Sequence, residues 1–380
     1  MNSTWKRLLA SLFAFALIAA ACGGDDAADE TQATAAPKEA TESTESTEST
    51  EAMAEPLKIA FVHVGPTADL GWSWAHDQGA EYVKAQLGDA VEITTLEIIP
   101  EGADSQRVFE NLAAEGNTLI FGTSFGYMDP MLAAADNYPD VAFMHATGFK
   151  TGPNMGNYFG AAEEGRYLSG MAAGAATESN LIGYVAAFPI PEVLRGINAF
   201  ALGAQEINPD AEVRVVWTST WFDPPIEGDA AQALLDAGAD VIAMHQDSSA
   251  PGLAAEAAGA KWIGYNTDMT EFAPDAWLTA AIWNWGPYYL AIAEAVIAGT
   301  WTAESFYGNM AGGMVDIAPF GSSVAGDIQD LINVRKTEII DGTFSVFPDP
   351  IVDQDGNERE LGDIFGMDFF VNGVIGSASG

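Results

Sequence analysis

Short apolar runs alternate with amphipathic stretches from residue 57 onward, and this alternation is the strongest structural signal in the first half of the chain. The apolar runs predict strands at 57–64, 91–98, 118–121 and 141–145. The stretches between them predict helices at 74–87, 105–115 and 131–137. Strands that alternate with helices in this way are typical of βαβ crossovers and a parallel sheet.

The same rhythm restarts later in the chain. Apolar runs predict strands at 181–187, 213–218, 241–244 and 261–265, and amphipathic stretches predict helices at 191–207, 225–237 and 249–259. An Ala-rich segment at 166–176 predicts a helix that completes the first domain. About 325 residues follow the N-terminal region, and this length, with 48% hydrophobic residues, is enough for two cores. The sequence therefore predicts two α/β domains of similar plan.

The N-terminus has the layout of an export signal. Lys6 and Arg7 precede an uncharged apolar stretch at 8–21, which is too short to span a bilayer as a helix. Cys22 follows, and the pattern resembles the bacterial lipoprotein signal, although Ala19 stands where that signal prefers leucine. We therefore expect residues 1–21 to be a signal peptide and Cys22 to carry the lipid. An ordinary secretory signal cleaved near Ala21 is the alternative.

The next segment, 22–55, is rich in Asp, Glu, Ser and Thr, and we expect it to be a disordered acidic linker. The whole chain has 54 acidic and 14 basic residues, a net charge of -40. Such a charge excludes nucleic acid as a partner, because binding phosphates needs clusters of Lys and Arg. Cys22 is the single cysteine, so a disulfide within the chain is excluded.

Aromatic and polar side chains are concentrated at the predicted strand ends. They are also concentrated near Trp283, where we expect the chain to cross between the domains for a second time. Ligands bind beyond the carboxyl ends of strands in an open parallel sheet. The candidate ligand-binding residues are Trp72, Ser73, Phe125, Asp129, Phe188, Trp221, Asp247, Asn266, Asp268 and Trp283. Flat aromatic faces with carboxylates and amides at their edges suit a flat ring that bears hydrogen-bond donors and acceptors.

Several segments together resemble the basic membrane protein family of extracytoplasmic solute-binding lipoproteins. The resemblance covers roughly residues 57 to 345. It is carried by KIAFVHVGP, DLGWSWAHDQGAEY, GNYFGAAEEGRYLSGMAAG, GYVAAFPIPEVLRGINAFALGAQEINP, ADVIAMHQDSSAPG, KWIGYNTDM and WNWGPYY. It implies a type I periplasmic binding protein fold, with two Rossmann-like lobes and the ligand between them. We assign 57–176 with about 284–312 to the first lobe, and 177–283 with about 313–380 to the second.

The resemblance also implies a function. The best-known members are similar to a purine nucleoside receptor, and they deliver ligand to an ABC permease with cytoplasmic ATPase subunits. The implied protein is a monomeric receptor, lipid-anchored to the outer face of the cytoplasmic membrane. It is not an enzyme and needs no cofactor or metal.

Departures from the nucleoside-binding pattern bear on the ligand. Trp72 keeps the aromatic role after the first strand, but Ser73 stands where those receptors have asparagine. Asn266 replaces an acid, and Trp283 replaces a lysine that reaches the sugar. We therefore expect a free, adenine-like nucleobase, with an intact purine nucleoside as the alternative. Its faces would stack on Trp72 and on Phe188 or Trp283, and Asp129, Asp247 and Asn266 would bind its ring N–H groups and acceptors.

Two other functions fit parts of the sequence. Residues 122–126 match G-x-S-x-G after a strand, and Asp223 or Asp240 before His245 would complete the order of an esterase triad. Against this, the serine lies in the first half of the chain and His245 in the second lobe. A sugar is the other possible ligand, because aromatic faces stack on pyranose rings and carboxylates bind hydroxyl groups.

Overall fold

The computed structural model describes residues 55–380. The predicted signal peptide, Cys22 and the predicted linker up to residue 54 lie outside the described residues. Residues 53–380 form a compact unit by themselves. None of the described helices is long and apolar enough to cross a membrane.

The first part of the described chain follows the predicted alternation. Its strands are β1 (Leu57–His63), β2 (Val91–Leu96), β3 (Leu119–Thr123), β4 (Ala142–Ala146) and β5 (Met155–Gly160). Its helices are α1 (Trp72–Leu87), α2 (Ala103–Ala114), α3 (Met128–Asn137) and α4 (Ala162–Ala176). The predicted strands and helices in this region are confirmed to within a few residues, and β5 is added to them.

The second part repeats the plan. Its strands are β6 (Leu181–Ala186), β7 (Glu212–Trp217), β8 (Val241–His245), β9 (Lys261–Asn266) and β10 (Trp277–Trp283). Its helices are α5 (Pro191–Ile207), α6 (Pro224–Asp236) and α7 (Ala250–Ala258). The remaining elements are α8 (Gly286–Ile297), β11 (Ser305–Gly308), β12 (Val315–Ile317), α9 (Gly326–Ile340), β13 (Ile351–Val352), β14 (Glu358–Arg359) and β15 (Val374–Ile375).

Two open sheets form the centres of two lobes. The first has the order β11-β5-β4-β3-β1-β2, and all its neighbouring strands are parallel. The second has the order β12-β10-β9-β8-β6-β7-β15, and β12 alone runs antiparallel to its neighbour. Their central strands are fully buried, as expected for sheets covered by helices on both faces. The predicted α/β class with two parallel sheets is confirmed.

Within residues 55–380 the chain crosses between the lobes three times, and each lobe is therefore built from separate segments. The crossings lie between β5 and α4, between β10 and α8, and between β11 and β12. The C-terminal residues add the small β13–β14 hairpin and place β15 beside β7, at the edge of the second sheet.

Helix α4 lies on the second sheet, whereas the sequence assigned residues up to 176 to the first lobe. The reason is its close contact with α5, which glycines make possible. A Cβ added to Gly170 would lie 2.1 Å from the Phe200 carbonyl oxygen, and one added to Gly203 would lie 2.0 Å from the Tyr167 carbonyl oxygen. The backbones of the two helices can approach this closely only without side chains at these positions.

Candidate functional site

A cavity lies between the two lobes at the carboxyl ends of their strands. Its empty space is about 340 Å³, part of it open to solvent. The first lobe contributes Val64, Trp72, Ser124, Phe125 and Thr147, and the second contributes Glu192, Trp221, His245, Asp247 and Tyr265. Most of these residues lie at the end of a strand or directly after it, which is the position expected for a ligand site in parallel sheets.

Trp72 forms a rigid wall of this cavity. It is the first residue of α1, and its indole Nε1 donates a hydrogen bond to the Thr123 carbonyl oxygen at 2.6 Å. The Asp69 carboxylate accepts from the backbone N–H groups of Gly71 at 2.8 Å and Ser73 at 2.9 Å. These bonds fix the start of the helix, because the first backbone N–H groups of a helix have no partner within it. The Trp72 ring is therefore held in one orientation.

Asp247 is oriented by a chain of two hydrogen bonds. The side-chain N–H of Asn266 donates to Asp247 Oδ1 at 3.0 Å, and the Trp283 indole N–H donates to Asn266 Oδ1 at 2.9 Å. The Trp283 ring stacks on Trp285, with the centroids 4.6 Å apart and the planes 23° from parallel. Both the N–H and the carbonyl oxygen of the Asn266 side chain therefore form hydrogen bonds within the protein. Asn266 thus orients the Asp247 carboxyl group.

The lobes touch directly beside Asp247. A Cβ added to Gly71 would lie 2.3 Å from the Asp247 carbonyl oxygen. The Thr267 hydroxyl donates to the Leu70 carbonyl oxygen in the same region. Burial raises the pKa of Asp69 to about 6, and burial together with the charge of Asp69 raises the pKa of Asp247 well above its usual range. The protein therefore brings two acids close together at a contact between lobes, where charging both is unfavourable.

His245 and Glu192 form the polar side of the cavity. His245 Nε2 lies 3.6 Å from Glu192 Oε1. Burial raises the pKa of Glu192 to about 7, against the opposing effect of the nearby Arg195 and Arg166. Burial lowers the pKa of His245 well below its usual range, and the charge of Arg166 lowers it further. His245 is therefore neutral at pH 7, with one ring nitrogen able to donate and the other able to accept.

A buried arginine lies behind this pair. The Arg166 guanidinium carbon is 3.4 Å from the centroid of the Tyr265 ring, and Arg166 Nη1 donates to the Met244 carbonyl oxygen at 2.7 Å. Several buried polar atoms here have no hydrogen-bond partner among the described residues, and they are Arg166 Nε and Nη2, His245 Nδ1, Glu192 Oε2 and the Tyr265 hydroxyl. Because buried polar groups normally have partners, the atoms of His245, Glu192 and Tyr265, which line the cavity, are suited to bind the heteroatoms of a ligand or its water.

The structure brings together four of the residues predicted from the sequence, namely Trp72, Phe125, Trp221 and Asp247. Phe188 lines a neighbouring cavity that shares Val64 and Trp221 with the first, and its ring packs edge-on against Trp221 at 4.9 Å between centroids.

Other predicted residues do not line the cavity. Ser73, Asn266 and Trp283 lie behind its wall, where their backbone or side-chain groups hold Trp72 and Asp247 in place. Asp129 is exposed and pairs with Lys150 at 2.5 Å. Asp268 is exposed and accepts from the backbone N–H of Thr270 at 3.0 Å, which closes its own turn.

Six residues of the cavity were not among the predicted site residues. They are Val64, Ser124, Thr147, Glu192, His245 and Tyr265. Position at a strand end was the available signal for all of them except Glu192. Glu192 lies in the first turn of α5, and an acid there is also expected simply because it stabilises the positive end of a helix.

The arrangement of Ser124 does not support the esterase alternative. Its hydroxyl donates to Glu101 Oε1 at 2.5 Å, and its carbonyl oxygen contacts His145 Nε2 at 2.8 Å. His245 is paired with Glu192 instead. No serine–histidine pair of a nucleophile and a base is therefore formed here.

Comparisons with known proteins agree with this architecture. The family described as "ABC transporter substrate-binding protein PnrA-like" (Bmp) matches residues 57–346. A relative from Brucella abortus, named a purine-binding protein, is 45% identical over 327 residues, which cover 84% of this chain and 93% of the relative. A relative from Haloferax volcanii, named a putative ABC transporter glucose-binding protein, is 43% identical and the match covers 85% and 81% of the two chains.

Solved structures share the fold at lower identity. A solute-binding protein of an ABC transporter system from Aeropyrum pernix aligns with a TM-score of 0.67 at 18% identity, covering 76% of this chain and 93% of that one. A similar protein from Conexibacter woesei aligns with a TM-score of 0.61 at 23% identity, covering 76% and 98%. ABC substrate-binding proteins act on the extracytoplasmic side of the membrane, where they bind small molecules and interact with a permease. As its motifs predicted, the chain belongs to the Bmp family of PnrA-like ABC transporter substrate-binding proteins, and it is a binding protein rather than an enzyme.

Proposed function

We propose that this protein captures a free purine nucleobase, adenine-like, between its lobes and delivers it to its permease. The observation that carries the proposal is the pairing of flat and polar walls in one narrow cavity. Trp72 and Trp221 supply aromatic faces, and Asp247, Glu192 and His245 supply hydrogen-bonding groups. A purine has both an apolar face and a ring edge of donors and acceptors, so it matches both kinds of wall.

The raised pKa values of Asp247 and Glu192 favour a purine ring as the ligand. A carboxyl group that is protonated can donate to a ring nitrogen as well as accept from an N–H group. Glu192, with a pKa of about 7, exchanges between these forms near neutral pH. The relative from Brucella abortus, which is named a purine-binding protein, supports the same ligand class.

A nucleobase rather than a nucleoside is favoured by Trp283. In the family pattern a lysine that reaches the sugar stands at this position. Here the indole N–H is bound to Asn266, and the ring is stacked on Trp285. The position therefore offers no free donor to a ribose.

A sugar is the second candidate, and the observation in its favour is the Haloferax volcanii relative that is named a putative glucose-binding protein. We further propose that the mature protein is a monomer attached to the membrane by lipid on Cys22, with residues 22–55 as a disordered spacer.

Isothermal titration tests the ligand. Residues 53–380, unfolded and refolded to remove any co-purified ligand, are titrated with adenine, guanine, adenosine and glucose. A one-to-one exotherm with adenine that adenosine fails to reproduce is the expected result. Binding of glucose without binding of either base would overturn the purine proposal, and equal affinity for adenosine would overturn the argument from Trp283. Trp72→Ala, which removes an aromatic wall of the cavity, should weaken adenine binding. The matched control Trp301→Ala should not, because Trp301 lies outside the cavity.

A further inference from the structure

A second cavity opens beside the first and shares part of its wall. It spans about 1120 Å³, part of it open to solvent. Phe125, Thr147 and Glu192 line both cavities. A ligand seated in the first cavity could therefore extend into the second without leaving the space between the lobes.

Aromatic rings form much of the wall of this second cavity. The rings belong to Phe125, Phe149, Phe159, Phe306, Tyr307 and Phe365. Three of them are unusually exposed for phenylalanine: Phe149 at 70%, Phe306 at 42% and Phe365 at 51%. Phe149 and Phe306 belong to the first lobe and Phe365 to the second. Large apolar side chains left exposed around one opening indicate a surface that contacts an apolar group.

A fixed cation lies at the inner side of the cavity. Arg195 is only 3% exposed, and its Nε donates to Glu163 Oε2 at 3.3 Å. Its Nη1 donates to the Ile364 carbonyl oxygen at 3.4 Å, and the Tyr307 hydroxyl holds Glu163 at 2.8 Å. Arg195 nevertheless lines the cavity. A guanidinium has five N–H donors in a planar fork, so one anchored in this way can still donate to a ligand.

We infer that the second cavity holds an aromatic substituent attached to the purine, and that the protein's preferred ligands are aryl-substituted purines rather than the unsubstituted base. The inference rests on the proposed function. The shared wall places the purine and its substituent on either side of Phe125 and Glu192. The aromatic rim then covers the substituent, and Arg195 binds an acceptor atom on it or near it.

The exposed rim of the second cavity argues against a ribose at that position, although other parts of the wall include the polar residues Asn157, Ser305 and Asp363. A ribose presents hydroxyl groups on most of its surface, and each needs a partner when it is buried. The three exposed phenylalanines at the rim offer none. An aryl group instead gains from contact with the rings that line the opening.

Calorimetry with four probes tests the inference. Adenine, N6-benzyladenine, 9-benzyladenine and adenosine are titrated into residues 53–380, because two attachment points sample two directions from the ring. One of the benzyl purines is expected to bind about tenfold more tightly than adenine, as partial burial of a phenyl group implies. Phe306→Ala and Phe365→Ala, each measured separately, should lower the ratio of benzyl-purine to adenine affinity. Val334→Ala, at an exposed residue of α9 that lines neither cavity, should leave the ratio unchanged.

The outcomes separate this inference from the function on which it rests. Binding of adenine with at least threefold weaker binding of both benzyl purines would overturn the inference and keep the nucleobase proposal. An unchanged ratio in both Phe→Ala variants, or tighter binding of adenosine than of either benzyl purine, would also overturn it. Heat with a benzyl purine but none with adenine would support the second cavity and overturn the nucleobase proposal. No heat with any of the four overturns both.

Discussion

Replacing Glu192 by glutamine should stabilise the folded protein at alkaline pH and have little effect under acidic conditions. The side chain is 12% exposed and lies 3.6 Å from His245, while burial raises its pKa from 4.5 to about 7. The folded protein therefore holds this proton more tightly than the unfolded chain does. Glutamine has the shape of the protonated acid and carries no charge at any pH.

The size of the effect follows from the shift in pKa. Each unit corresponds to about 1.4 kcal/mol, so charging Glu192 in the folded state costs about 3 kcal/mol relative to the unfolded chain. Below pH 4.5 Glu192 is protonated in both the folded and the unfolded state, and the folded protein has the full stability that this group allows. This stability is lost progressively as the pH rises from 4.5 to about 7. The free energy of unfolding of Glu192→Gln should therefore equal that of the unsubstituted protein near pH 4.5 and exceed it by up to about 3 kcal/mol at pH 8.

Urea unfolding at pH 4.5, 6 and 8, followed by tryptophan fluorescence, measures this difference. Other buried acids and histidines also titrate, and the contributions of those distant from Glu192 cancel when the two proteins are compared at the same pH. The neighbouring Asp247, whose pKa is raised by burial and also by the charge of Glu192, adds to the same trend, because the substitution removes that charge at high pH. Glu294→Gln, at an exposed residue of α8, should stay within about 0.5 kcal/mol at every pH. A difference that is constant with pH, or a loss of stability at pH 8, would refute the reasoning that burial outweighs the two arginines at Glu192.

Three further predictions concern packing, binding and attachment. Gly203→Ala should lower the free energy of unfolding by about 3 kcal/mol, because its Cβ would lie 2.0 Å from the Tyr167 carbonyl oxygen; Gly326→Ala, which meets nothing within 4 Å, should be neutral or stabilising in the same urea titration. Trp72→Phe removes the indole hydrogen bond that fixes the ring, and it should weaken adenine binding about fivefold, or about 1 kcal/mol, by calorimetry. An unchanged affinity would argue against contact between Trp72 and the ligand. Cys22→Ser should release the exported protein from the membrane fraction into the soluble one, and continued sedimentation with membranes would argue against a lipid anchor.

The sequence predicted the alternating elements well because most of the buried strands are apolar runs, whereas the fully buried β5 contains Asn157 and two glycines. It did not predict β5 or β10, nor the elements from α8 to α9. It placed α4 with the wrong sheet for a definite reason. Gly170 and Gly203 lie far apart along the chain. Only the structure shows that Gly170 packs against α5 and Gly203 against α4.

The candidate site was predictable in outline and not in its details. Strand-end position brought Trp72, Phe125, Trp221 and Asp247 to one cavity. Residue type alone does not distinguish a side chain that faces the cavity from one that holds another side chain in place. Asn266 illustrates this. Its amide satisfies both Asp247 and Trp283, a fact that depends on side-chain directions. Glu192 was not predicted because an acid in the first turn of a helix is already expected to stabilise the positive end of that helix.

The three crossings have a consequence for how the protein is made. The first sheet cannot be completed when β5 leaves the ribosome, because its edge strand, β11, begins at residue 305. At ordinary rates of synthesis roughly 7 to 30 seconds separate these two strands. The second sheet likewise waits for β15, close to the end of the chain. The first sheet therefore stays incomplete until β11 has been synthesised, and the second until β15 has been synthesised. The nascent chain is thus incompletely folded over that interval, and an export channel that accepts unfolded chains has this time in which to engage it.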